Sequence, residues 1–216
     1  MLLFTPELCT GTNQPLDVLM DLAAEVDIVQ VRIKPSAEEP RLPGSPGPPA
    51  EGRASYDWTL RILEAFAPLS HAPMVLVDDR VDVALALQAA GCAGVHLGRH
   101  DFPVDVAREQ LGAEALIGLS THDVGQVVRA SDSAADYIGF GPIFATKTKG
   151  YAAGVAPETA WIADSGSSLP LFPIGGINLS NVQQLARVGR AAVSSALLSS
   201  KTPAQDARAL REMLED

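Results

Sequence analysis

"MVLVDDRVDVALALQAAGCAGVHLGRHDFPVDVAREQLGAEALIGLST", Met74 to Thr121, decides the fold. Three short apolar runs, MVLVDD, GVHLG and LIGLST, alternate with two segments of helical periodicity, Val81 to Ala90 and Val104 to Leu111. Strands separated by one helix must run parallel, since the helix returns the chain to the end where the previous strand began. Toward the N-terminus the same rhythm gives LLFTP, a helix near Leu16 to Glu25, DIVQVRIK, and a helix near Tyr56 to Ala67. Toward the C-terminus it gives a helix over Val124 to Ala130, YIGFGPI, and a helix over Pro157 to Ala163. LFPIGGI with Asn181 to Val188, and AAVSSALL with Pro203 to Leu214, complete the series. Eight βα units predict an α/β single domain over residues 1–216, a (β/α)8 TIM barrel, with an open doubly wound sheet as the competing arrangement.

One stretch breaks the rhythm. Pro35 to Arg53, PSAEEPRLPGSPGPPAEGR, is so rich in proline and glycine that it reads as a loop insertion, neither helix nor strand. It follows a strand, so it belongs on the face of a barrel where active sites form, or it is an insertion without a role.

The net charge of −10, with 26 acidic against 16 basic residues, argues against non-specific nucleic-acid binding and leaves room only for a local anion pocket. No apolar run is long enough to span a membrane. Cys9 and Cys92 make no disulfide framework, and MLLFTPELC lacks the pattern of a signal peptide, so a reducing, cytoplasmic setting is expected.

In a barrel the residues ending each strand share one mouth. Gln30, Arg32 and Lys34 alternate along the second strand and so face one way. Asp78 and Asp79 end the third strand, Asp101 follows the fourth, and Ser120 and His122 end the fifth. Thr146, Lys147, Thr148 and Lys149 follow the sixth, Gly175 and Gly176 end the seventh, and Ser194 and Ser195 the eighth. Glycines and small hydroxyl residues after the last two strands suit a phosphate, since bare backbone N–H groups can approach its oxygens. Arg32, Lys34 and Lys149, with Asp79 and Asp101, suit a second and more highly charged anion such as a diphosphate held with Mg2+, because carboxylates are hard oxygen donors.

Plainer roles exist for the same residues. Asp79 and Asp101 each precede a helix and could be N-caps. Arg32 and Lys34 could sit on a solvated strand edge, TKTKG could be a solvated loop, and Ser194 and Ser195 could bond locally. His96 and His122 read as hydrogen-bonded structural residues and Cys92 as a core hydrophobe.

VQVRIK, VDDRVDVAL, GVHLGRHDFP, IGLSTHD, DYIGFGPIFATKTKG and PIGGI resemble, in this order, the thiamine-phosphate synthase family. The resemblance implies a (β/α)8 barrel that joins a hydroxymethylpyrimidine diphosphate to a thiazole phosphate and releases diphosphate with Mg2+. It implies pyrimidine and diphosphate contacts for Gln30, Arg32, Lys34, Asp78, Ser120 and Lys149, with Arg32, Lys34, Ser120 and Lys149 catalytic. Mg2+ falls to Asp79 and Asp101, and the thiazole phosphate to Thr146, Lys147, Thr148, Gly176, Ser194 and Ser195. The chain departs from the family pattern at Asp78, which stands where an Asn is usual, at Arg99 and His100, and at Pro173. A carboxylate beside a diphosphate repels it unless protonated or recruited to the metal. A thiazole tautomerase of the same barrel, and a non-catalytic barrel binding thiamine intermediates as a regulator, are the alternative functions.

Overall fold

The computed structural model describes residues 1–9, 14–33, 49–146 and 154–215. Seven parallel strands pair in the order of the sequence: β1 (Leu2–Phe4), β2 (Ile28–Val31), β3 (Met74–Asp78), β4 (Gly94–Leu97), β5 (Leu116–Thr121), β6 (Tyr137–Phe140) and β7 (Leu171–Pro173). Between and after them lie α1 (Pro15–Leu22), α2 (Pro49–Phe66), α3 (Val81–Leu87), α4 (Val104–Leu111), α5 (Val124–Ser131), α6 (Pro157–Ser165), α7 (Ser195–Leu198) and α8 (Pro203–Glu215). A strictly sequential strand order rules out the doubly wound arrangement, whose order reverses at a switch point.

Three expectations are corrected. AAVSSALL does not form a full strand: Ala192 bridges Ile174 beyond β7, Val193 bridges Leu2 of β1, and Ser195–Leu198 winds into α7. Ser194 leaves extended geometry at φ −131° and ψ −97°, and the Ala-Leu-Leu that follows favours helix. The two-residue segment nevertheless bonds both outer strands, through Ala192 N to Pro173 O at 2.8 Å and Leu3 N to Val193 O at 2.8 Å. The helix expected over Asn181 to Val188 is a 3-10 turn, Val182–Leu185, with Gly189 at φ 67° soon after it. The proline-rich stretch ends as helix, because Pro49 to Arg53 are the first turns of α2; proline is favoured at a helix start, where its missing N–H has no partner to lose. Residues 34–48 lie outside the described residues.

The period of two along each strand sorts the side chains into two environments. Val29, Val31, Val75, Val77, Val95, Leu97, Ile117, Ile138 and Phe140 face the helices and make the main core. The alternate residues face inward, where Ile28, Leu76 and Tyr137 form a second, smaller cluster with Phe172 against it. Above that cluster the inward positions turn polar: Gln30, Asp78, His96 and Ser120. The register aligns Asp78 with His96, His96 with Gly118, and Gly118 with Tyr137, so one level of the inner face runs across four strands.

Candidate active site

A cavity of about 370 Å3 opens at the C-terminal ends of the strands. Of the residues singled out in the sequence, Gln30, Arg32, Asp78, Asp79, Asp101, Ser120, Thr146, Gly176, Ser194 and Ser195 all line it. Lys34, Lys147, Thr148 and Lys149 lie outside the described residues.

On the β2–β4 side, acids and a cation interlock. Asp78 accepts a hydrogen bond from the Gln30 side-chain amide and pairs with Arg32, Nε to Oδ2 at 3.5 Å. Asp79 stands at φ 61°, in the left-handed region that aspartate tolerates better than most residues, and its N–H donates to the His96 carbonyl at 2.8 Å. Asp101 Oδ2 accepts from the Gly98 N–H at 2.8 Å, closing the turn after β4. Neither acid is a helix cap: the N-cap positions of α3 and α4 are Arg80 and Pro103, with no side-chain cap bond at either. Among the described residues no three His, Cys, Asp or Glu side chains gather into a group able to hold a metal by themselves. What the chain offers at this side is three carboxylates lining the cavity, of which Asp78 is paired with Arg32 and Gln30. Arg99 and His100 line the cavity next to Asp101.

Beneath the mouth His96 bridges two strands. Its Nδ1 lies 2.8 Å from the Tyr137 hydroxyl and its Nε2 lies 2.9 Å from Ser120 Oγ. Two inward glycines make the slot: a Cβ on Gly118 would fall 2.4 Å from His96 Nδ1, and one on Gly139 would fall 3.1 Å from His96 Cε1. Burial first, then the charges of Asp78 and Asp136, push the Tyr137 phenol far above its usual range, so it stays protonated. His122 has a separate, local role, with Nδ1 2.5 Å from the Gly141 carbonyl. The expectation that both histidines are hydrogen-bonded within the fold holds, but His96 touches Ser120, and Tyr137 was not singled out in the sequence at all. Period-two facing alone would have placed Gly118 and Gly139 inward; only the register brings His96 over them.

On the β7 side glycine backbone lines the cavity. Gly175 and Gly176 have φ of 102° and 64°, and a Cβ on Gly176 would meet the Ala145 carbonyl oxygen at 2.5 Å. Only glycine satisfies both demands. Asn178 and Asn181 each donate a side-chain amide to the Gly176 carbonyl, at 3.1 and 2.9 Å, which fixes the orientation of that turn. Ser194 Oγ donates to the Leu3 carbonyl of β1 at 2.9 Å.

The model of the family described as thiamine monophosphate synthase matches residues 1–197. The thiamine-phosphate synthase of Prochlorococcus marinus (strain MIT 9313) is 41% identical over 146 residues, covering 67% of this chain and 40% of that protein. The thiamine-phosphate synthase of Synechococcus sp. (strain CC9311) is 35% identical over 198 residues, 89% of this chain and 50% of the relative. This chain thus spans half or less of the length of these curated relatives. Among solved structures, thiamine phosphate pyrophosphorylase from Pyrococcus furiosus superposes with a TM-score of 0.74 at 25% identity, covering 99% of this chain and 94% of that one. The match runs through every strand, the acid pair and the Gly-Gly turn, and by it this chain belongs to the thiamine monophosphate synthase family.

Proposed function

We propose that this chain condenses a hydroxymethylpyrimidine diphosphate with a thiazole phosphate to give thiamine phosphate and free diphosphate, with Mg2+. The observation that carries the reading is the meeting, in one cavity, of Arg32, Asp79 and Asp101 from the β2–β4 side with the Gly175–Gly176 turn after β7. A tautomerase acting on a thiazole phosphate has use for the second feature alone. The bridging of Ala192 and Val193 to both outer strands supports closure as a (β/α)8 barrel, which brings these two sides to one mouth. The unpaired Cys9 and Cys92 support a reducing, cytoplasmic setting.

In this mechanism the C–O bond between the pyrimidine methylene and the diphosphate breaks, and its electron pair leaves with the diphosphate. The thiazole nitrogen then forms the C–N bond with the methylene carbon. Arg32, with Lys34 and Lys149, stabilises charge developing on the leaving group, and no general base is required. Gln30, Asp78 and Ser120 orient the pyrimidine. Asp79 and Asp101 would hold Mg2+, because both line the cavity and carboxylate oxygens suit a hard cation. Mg2+ supplies charge neutralisation at the departing diphosphate. The thiazole phosphate is held by Thr146, Lys147, Thr148, the Gly176 N–H, Ser194 and Ser195. Thr146, Gly176, Ser194 and Ser195 line the cavity.

Incubating the chain with both substrates and Mg2+ tests the proposal. Thiamine phosphate and diphosphate should appear in equal amounts, and chelation of Mg2+ should stop both. Binding of both substrates by calorimetry without product overturns it and favours a regulator.

A further inference from the structure

We infer that Tyr137 and His96 are positioning residues that fix the Ser120 hydroxyl as a hydrogen-bond donor into the cavity, so that Ser120 selects an acceptor atom on the substrate. The inference rests on the proposed function only in taking Ser120 as a substrate contact.

The argument is one of counting protons. His96 is 6% and Tyr137 2% exposed, and both ring nitrogens of His96 are within hydrogen-bond distance of a hydroxyl. A neutral imidazole has one N–H and one lone pair, so one hydroxyl must donate and the other must accept. The Tyr137 phenol keeps its proton, held there mainly by burial. Among the described residues its one hydrogen-bond partner is His96. If Nδ1 carried the proton, the phenol hydrogen would be buried without an acceptor, the costlier outcome. The phenol therefore donates to Nδ1, Nε2–H donates to Ser120 Oγ, and the serine proton is left as the donor at the cavity wall. Accepting from His96 also polarises that O–H, since hydrogen bonds in a chain reinforce one another. A ring nitrogen or a phosphate oxygen satisfies such a serine; an amino group does not.

The test begins without substrate. Protein labelled with 15N at its four histidines is examined by two-bond 1H–15N NMR, with His96→Gln to assign the signal. Wild type and Ser120→Ala should both show His96 protonated at Nε2 and bare at Nδ1, whereas Tyr137→Phe should lose that preference. A wild-type ring protonated at Nδ1, or a tautomer that changes in Ser120→Ala and not in Tyr137→Phe, overturns the inference. Because this arm needs no ligand, it stands or falls apart from the proposed reaction. The second arm is calorimetry with the pyrimidine diphosphate: Tyr137→Phe should weaken binding about tenfold, and should weaken it no further once Ser120 is already Ala. Additive losses in the double variant overturn the coupling.

Discussion

Arg32 meets Asp78 across the β2–β3 pair, Nε to Oδ2 at 3.5 Å, and the same carboxylate holds the side-chain amide of Gln30. The acid at this position, where the family resemblance implies an amide, is thus engaged with a cation and a donor. Asp78→Asn should leave Gln30 a partner in the amide oxygen while removing a negative charge and releasing Arg32. Diphosphate affinity should then rise about fivefold, a gain of about 1 kcal/mol. Asp78→Ala should behave differently, since Gln30, only 3% exposed, loses an acceptor; unfolding free energy should fall by about 1–2 kcal/mol. Calorimetric titration with diphosphate and urea melts separate the two. A fall in Mg2+ affinity in Asp78→Asn would instead identify Asp78 as a metal ligand.

Thr59 carries a cost that no site explains. It lies on α2, fully buried, and its hydroxyl has no hydrogen-bond partner among the described residues. Thr59→Val keeps the shape and removes the unsatisfied group. Stability should increase by about 1 kcal/mol, read from the urea midpoint at unchanged slope, with activity unaltered.

Arg108 gives the converse case, at the opposite end of the strands from the cavity. Its guanidinium donates to the carbonyls of Gly112, Ala113, Ala115 and Ala134 and to Asp136 at 2.5 Å, and Asp136 accepts from the Ile117 N–H at 2.7 Å. One side chain thus ties the loop after α4 to the starts of β5 and β6. Arg108→Ala should lower stability by about 2 kcal/mol while substrate KM values stay unchanged, because this network lies at the end of the strands away from the proposed site. A shift in KM without loss of stability would contradict that division.

The strands and most helices were legible because short apolar runs alternate regularly with segments of helical period; Val104 to Leu111 and Leu116 to Thr121 match their elements to the residue. The eighth unit was not, because AAVSSALL is as apolar as a strand and as rich in Ala and Leu as a helix, and only the bonds to β1 and β7 divide it after Val193. That the acids and the Gly-Gly turn line one cavity was legible from their places at the strand ends. His96 joined to Tyr137 was not, since the contact depends on Gly118 lying level between them, a matter of register across three strands that no single stretch encodes.

Asp79 and Asp101 supply the sharpest test of the proposed metal site. Asn is the right replacement at both: like Asp it tolerates the left-handed backbone found at Asp79, φ 61°, and it still offers an oxygen to the Gly98 N–H at Asp101. Each variant should therefore melt within about 1 °C of the parent, a shift of about half a kcal/mol. Asp79→Ala, by contrast, puts a residue that shuns that conformation into it and should cost about 1 kcal/mol of stability. With the fold preserved, Asp79→Asn and Asp101→Asn should each weaken Mg2+-dependent diphosphate binding about tenfold or more, since each removes a charged oxygen ligand from an ion with few of them. Thiazole phosphate binding, proposed for the Gly176 side, should change by less than about twofold. Titrating Mg2+ at fixed diphosphate and fixed ionic strength reads the first effect, and thiazole phosphate calorimetry the second. Unchanged metal dependence in both variants would remove Mg2+ from these residues. It would not return them to capping, because the caps of α3 and α4 fall on Arg80 and Pro103.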